Sequence, residues 1–252
     1  MGKYNLVTVR PTVSHLYAEA SGGTDVLFGW HAFEIPKGAC LVKHISGTVM
    51  GLNGAAGNDD DFKLWFARSI NGVAPTTFGT AHTTNTAAET QAFRRNIIGF
   101  TFVDASTVDD GDALIGYNVF GSRGSESLEQ PNMMLQGDPM YASTGGQGYQ
   151  TIWVAAEAAG SALEFGTDVD LNMAGHQAAS TAAVQITVSG TDARLAFQAG
   201  DSIVGSTGGP TMEVVTVDSD VLMTVKNVSE QIDHQEELLH KNPITLHFGC
   251  EY

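Results

Sequence analysis

Histidine and carboxylate are the side chains of this sequence best suited to chemistry, and they gather in three places. His234, His240 and His247 lie near the C-terminus with Asp233, Glu236 and Glu237 beside them. Zinc sites draw their ligands from short, regular spacings of cysteine and histidine, and this set follows none of them. The three histidines therefore read as exposed polar positions, with His247 on the solvent face of a strand, and no metal is expected. Two acidic loops, Asn58-Asp59-Asp60-Asp61 and Asp109-Asp110-Gly111-Asp112, carry the oxygen donors that hard cations take. Neither follows D-x-[DN]-x-[DN]-G with a closing glutamate. Asp59, Asp60, Asp61, Asp109, Asp110 and Asp112 are thus weak Ca²⁺ candidates, and solvated turns are the first expectation. His31, His44 and Trp30 fall among strand-like runs, where packed or edge positions are expected.

No motif dictates a reaction. There is no G-x-S-x-G elbow to raise a serine nucleophile, and no G-x-x-x-x-G-K-[ST] or G-x-G-x-x-G loop for a nucleotide phosphate. A glycosidase needs two facing carboxylates, and 28 acidic residues offer too many pairs for the sequence to select one. Asn227-Val228-Ser229 matches a glycosylation sequon and is read as chance. No catalytic residue and no cofactor is expected.

Composition narrows the class. Only 16% of residues are charged, below the roughly 25% usual in soluble domains, so Thr, Ser, Asn, Gln and Gly must cover much of the surface. That composition suits a protein packed against neighbours. The formal net charge is −16, with 12 basic residues scattered singly apart from Arg94-Arg95. Phosphate neutralisation needs clustered cations, so direct nucleic-acid binding is not expected. No apolar run is long enough to cross a membrane as a helix. The N-terminal residues show neither a secretory apolar region nor a myristoylation pattern. Cys40 and Cys250 are the only cysteines; their spacing does not show whether they meet, and Cys250 reads as a buried free thiol.

The elements that must position these residues are strands. Val184-Gln185-Ile186-Thr187-Val188 and Ile244-Thr245-Leu246-His247-Phe248 alternate apolar and polar side chains, the period of a half-buried strand. Met212–Val217 and Val221–Val225, joined by Asp218-Ser219-Asp220, predict a hairpin. Further strands are expected at Leu6–Arg10, Val26–Trp30, Cys40–Leu52, Phe62–Ala67, Ile97–Val103, Ala113–Val119, Thr151–Ala156 and Leu163–Leu171. The run Phe62–Ala67 is apolar on both faces, as a strand between two layers would be. A short helix is expected at Ala87–Arg95. Residues 106–150, broken repeatedly by Gly, Pro and Asp, read as an irregular arm or insertion. The sum is an all-β fold: an antiparallel β-sandwich, jelly-roll-like, with a small C-terminal β-barrel-like lobe. The expected division is 1–190 for the sandwich and 191–252 for the lobe, with 243–250 rejoining the main sheet. Ile244–Phe248 is expected to pair with Val184–Val188, making Gly200–Val225 an insertion.

Two sets of residues carry a resemblance. Thr24-Asp25-Val26-Leu27-Phe28, Glu34-Ile35-Pro36, the Cys40–Leu52 strand and Asp59-Asp60-Asp61-Phe62 leading to Leu64-Trp65-Phe66 form the first. Phe197-Gln198-Ala199-Gly200-Asp201, Glu236-Glu237-Leu238 and Asn242-Pro243-Ile244-Thr245-Leu246 form the second. In these patches, covering about half of the chain, it resembles structural proteins of tailed bacteriophages, particularly marine ones. The resemblance implies a non-enzymatic virion component on the capsid exterior, a decoration or cement protein. Its partners would be the major capsid protein and copies of itself in a homo-oligomer, with no membrane. An alternative is a tail or head-fibre protein binding host carbohydrate through Trp30, Tyr141 and Tyr149. A secreted carbohydrate-active enzyme is the third reading.

Overall fold

Alternation of apolar and polar residues is strongest in the last strand, and its burial follows suit. Ile244, Leu246, Phe248 and Cys250 are fully buried, while Thr245, His247, Gly249 and Glu251 are half-buried on the opposite face. The computed structural model describes residues 2–13, 24–50, 61–81, 83–104, 108–109, 117–121, 132–159, 163, 165–173, 175, 177–206, 209–232 and 236–252. In chain order the elements are β1 (Tyr4–Val9), β2 (Val26–Pro36), β3 (Ala39–Met50), β4 (Phe62–Ala67), α1 (Ala87–Phe93), β5 (Ile97–Val103), β6 (Val108–Asp109), β7 (Tyr117–Gly121) and β8 (Met133–Gln136). There follow β9 (Tyr149–Ala158), β10 (Val169–Leu171), β11 (Val184–Gly190), α2 (Ala193–Ala196), β12 (Ser202–Gly205), β13 (Thr211–Ser219), β14 (Leu222–Lys226), β15 (Leu238–His240) and β16 (Ile244–Glu251). The fold is all-β and its sheets are antiparallel, with 55% strand against 6% helix.

Two sheets make the sandwich. One runs β1-β16-β3-β7-β6, with β8 also on β3; the other runs β2-β9-β4-β5. Apolar side chains from both inner faces form one core. Phe248 of β16 stands between Phe33 of β2 and Phe66 of β4, with ring centroids 5.2 and 5.4 Å away. The second sheet is partly covered on its outer face as well. Trp30, Trp65 and Ile97 pack there against Phe78, Phe93 and Ala155, as the two apolar faces of Phe62–Ala67 predict. The covering helix α1 starts at a capping box: the Glu89 N–H donates to Thr86 Oγ1, and the Thr86 N–H donates back to Glu89 Oε2.

The third sheet, β10-β11-β14-β13-β12-β15, curls until its ends nearly meet. The Leu171 N–H of β10 donates to the Glu236 carbonyl just ahead of β15, at 2.9 Å. Glu237 strengthens this seam, its carboxylate accepting the Thr167 and Asp168 N–H groups at 2.9 and 3.1 Å. The barrel has its own apolar core, including Ile186, Val188, Ile203, Met212, Val214 and Met223.

Three expectations are corrected. Ile244–Phe248 does not pair with Val184–Val188: β16 lies between β1 and β3, whereas β11 lies between β10 and β14. Alternation sets which face of a strand is buried but does not name its neighbour. The insertion in the sandwich therefore spans 169–240 rather than Gly200–Val225, and the boundary at 190 moves back to the segment before Val169. Within 106–150, β6, β7 and β8 belong to the first sheet, and the 137–148 loop is tied down. Asp138 accepts the Gly72 and Met140 N–H groups at 2.8 and 2.9 Å.

The barrel seam allows a test. Gly190 ends β11 at φ +90°, and a Cβ there would overlap the Asp168 carbonyl oxygen. Gly190→Ala is expected to cost about 2 kcal/mol or more in urea unfolding. Gly29→Ala, with open space around its Cβ position, should change stability by no more than about 0.5 kcal/mol. Equal small effects from both would refute the seam as described.

Candidate functional site

The chain leaves the barrel through β15 and, after three intervening residues, enters the sandwich at β16. That short passage brings His240 and His247 into the lining of one cleft of about 570 Å³. Arg10, Thr48, Asp201 and Ser202 are among its other polar lining residues. The passage is firmly anchored. Asn242 Nδ2 donates to the Arg10 and Pro11 carbonyls at 3.0 and 2.9 Å, and the Lys241 N–H donates to the Ser202 carbonyl at 2.8 Å.

His240 corrects the expectation of an exposed position. Its side chain is 3% exposed, because Leu238-Leu239-His240 is buried along its whole length. The Nε2 atom lies 2.7 Å from the Ala196 carbonyl. A carbonyl only accepts, so Nε2 carries the proton, and the neutral ring turns its Nδ1 lone pair toward Asp201. The Nδ1 to Oδ2 separation is 3.8 Å, too long for a hydrogen bond. Burial pushes the imidazole below its ordinary range, against the opposing pull of the Asp201 charge and the Ala196 carbonyl. The Phe197 ring lies 4.9 Å from the imidazole. His240 thus joins α2 to β15 instead of presenting a base to the cleft. His247 occupies the outer face of β16, as expected, with Nδ1 3.0 Å from Thr8 Oγ1.

Of the acidic-loop candidates, two are among the described residues. Asp61 precedes β4, where its carbonyl accepts the Ala159 N–H at 2.9 Å; Asp109 closes the two-residue β6. Asp59, Asp60, Asp110 and Asp112 lie outside the described residues, as does His234. Among the described residues, no group of three His, Cys, Asp or Glu side chains is placed to hold a metal ion. The two cysteines do meet. Cys40 on β3 and Cys250 on β16 are buried free thiols in hydrogen-bond contact. That bond and burial push the Cys40 thiol strongly up, so it stays protonated.

The proposed aromatic platform is not assembled. Trp30 packs edge-on to Phe78 and Phe93, at 4.8 and 5.7 Å, with its indole nitrogen buried. Tyr141 packs edge-on to Trp153 at 5.0 Å, and Tyr149 is exposed. One polar cluster escaped sequence reasoning: the Glu34 carboxylate accepts from Ser143, Thr144 and Thr151 hydroxyls. It fastens the 137–148 loop to the second sheet, and more than a hundred residues separate its members from Glu34, so no local signal marks it.

The depressed His240 makes stability pH-dependent. The unfolded chain binds this proton near pH 6.5, and the folded protein only at lower pH. The contribution is therefore complete above about pH 6.5 and declines as pH falls from there toward the folded value, by at most about 1.4 kcal/mol per unit. His240→Gln should flatten this limb in urea titrations between pH 7.5 and 5. The slope left in the variant would come partly from His31, whose imidazole is also lowered by burial. An unchanged slope would remove His240 as its source.

No protein-family model matches the chain, and no curated protein sequence shows significant similarity to it.

Proposed function

We propose that this chain is a non-enzymatic structural protein of a tailed-bacteriophage virion, bound to the capsid exterior as a decoration or cement protein and assembling as a homo-oligomer. The observation that carries this reading is what the fold keeps inside and what it leaves outside. The groups best suited to chemistry hold the structure together: His240 is buried against a carbonyl, and Glu34 and Glu237 fasten a loop and a seam. Apolar side chains, by contrast, stand on the surface at Tyr4, Leu6, Phe100, Met134 and Met140. Surface apolar groups on a protein with few charges suit contacts with neighbouring subunits.

The major capsid protein and further copies of this chain are the partners of this reading. The acidic net charge of −16 argues against direct contact with nucleic acid. No helix among the described residues is long and apolar enough to cross a membrane. The carbohydrate-binding alternative gains no support from Trp30, which packs edge-on against Phe78 and Phe93.

Mass spectrometry of purified virions should find the chain in regular stoichiometry with the major capsid protein. Electron microscopy of particles labelled on this protein should place the label on the head. Virions free of the chain would overturn the proposal, and label confined to the tail would move it to the fibre reading.

A further inference from the structure

Among the described residues β1 is an edge strand, and its outer side is laid out for another strand. Lys3 and Tyr252 exchange reciprocal backbone hydrogen bonds, both 3.0 Å. Antiparallel alternation from that pair directs the N–H and C=O groups of Asn5, Val7 and Val9 toward β16. The same alternation turns those of Tyr4, Leu6 and Thr8 away, and among the described residues they meet no backbone partner. The register from Tyr4↔Glu251 to Val9↔Leu246 runs without a bulge. Between Lys3 and Arg10 there is no proline and no charge. Natural proteins blunt exposed edges with prolines, charges, bulges or cover, and β1 has no bulge, proline or charge of its own. The three outward-bonding residues also project side chains from the sheet surface, Tyr4 being 73% and Leu6 64% exposed.

We propose that this edge is a homodimer interface, in which two β1 strands pair antiparallel about a two-fold axis at Leu6 and continue the sheet across both molecules. Leu6 then faces Leu6 of the second copy, and Tyr4 faces Thr8 of the second copy. Every outward N–H and C=O of these residues finds a partner. Charge selects this register. Arg10 comes opposite Gly2 of the other copy, and the Glu251 carboxylate sits where a side chain on Gly2 would otherwise be. Each Arg10 therefore reaches a Glu251 carboxylate, twice per dimer, and Lys3 lies opposite the neutral Val9. Moving the axis to Asn5 or Val7 separates Arg10 from Gly2 and loses this match. An isologous contact of this kind uses the same surface twice.

The inference deepens the reading of the chain as an assembling protein, but its test needs no virions. Sedimentation velocity on the full chain at about 10–100 µM, a range that detects typical homodimer affinities, should report twice the monomer mass. Leu6→Pro removes an outward donor and no bond to β16, so the variant should stay folded by circular dichroism and run as a monomer. Arg10→Glu and Glu251→Arg should each weaken dimerisation by about tenfold or more, and the double swap should restore it. A wild-type monomer throughout this range overturns the interface. So does an oligomer unmoved by both Leu6→Pro and the charge reversals. Either result leaves the virion assignment to the mass spectrometry of particles, which can fail or succeed independently.

Discussion

The sandwich depends on β16 being gripped from both sides. Its eight residues pair with β3 along one edge, and six of them, 246–251, pair with β1 along the other. Its Phe248 ring fills the space between Phe33 and Phe66 of the facing sheet. The sixteenth strand in chain order is thus the second strand of its sheet. Without it β1 has no paired strand among the described residues, and the core lacks Ile244, Leu246, Phe248 and Cys250. Closing that layer requires contacts across nearly the whole chain, and such non-local pairing is slow because loop-closure entropy precedes the contacts that offset it. The inserted barrel eases the difficulty. Its strands pair among themselves with a separate core, so it can shorten the effective loop between β9 and β16 before the sandwich closes.

Polar side chains serve mainly as fasteners. Glu237 holds the barrel seam, Glu34 and Asp138 hold the 137–148 loop, and Asn242 holds the passage between barrel and sandwich. Asp218 accepts the hydroxyls of Thr216 and Thr224 at the β13–β14 turn, at 2.8 and 2.9 Å, and these bonds keep its carboxyl below the usual range. In most of these the carboxylate is answered by N–H and O–H donors rather than by a cation. That arrangement follows from a chain with 28 acidic and 12 basic residues.

Strand existence was legible because alternation and β-branched residues are local signals. The hairpin at Met212–Val225, the two-faced strand Phe62–Ala67 and the return of residues 243–250 to the main sheet were all readable this way. Helix α1 carried its own marker in Thr86 and Glu89. Partner choice was not legible, because Val184–Val188 and Ile244–Phe248 have the same periodicity and occupy different sheets. The site was hidden for a related reason. His240 meets Asp201 and Ala196 only because β15 pairs with β12, and a histidine following two leucines looks the same in sequence whether its strand is exposed on one face or buried on both.

The treatment of sheet edges gives the molecule its direction. The barrel closes its edges on each other through Leu171, Glu236 and Glu237. In the second sheet, β2 is flanked by bridges from Val26 to Ala81 and from Asp25 to Thr84. The first sheet ends at β1 with regular geometry and no such cover among the described residues. Unpaired backbone groups at an exposed edge stay satisfied by water, so leaving them open costs little in the isolated chain. The cost appears only as a tendency to recruit another strand. A strand with no bulge, proline or charge of its own carries that tendency in a defined register, which is what an ordered assembly needs and what indiscriminate aggregation lacks.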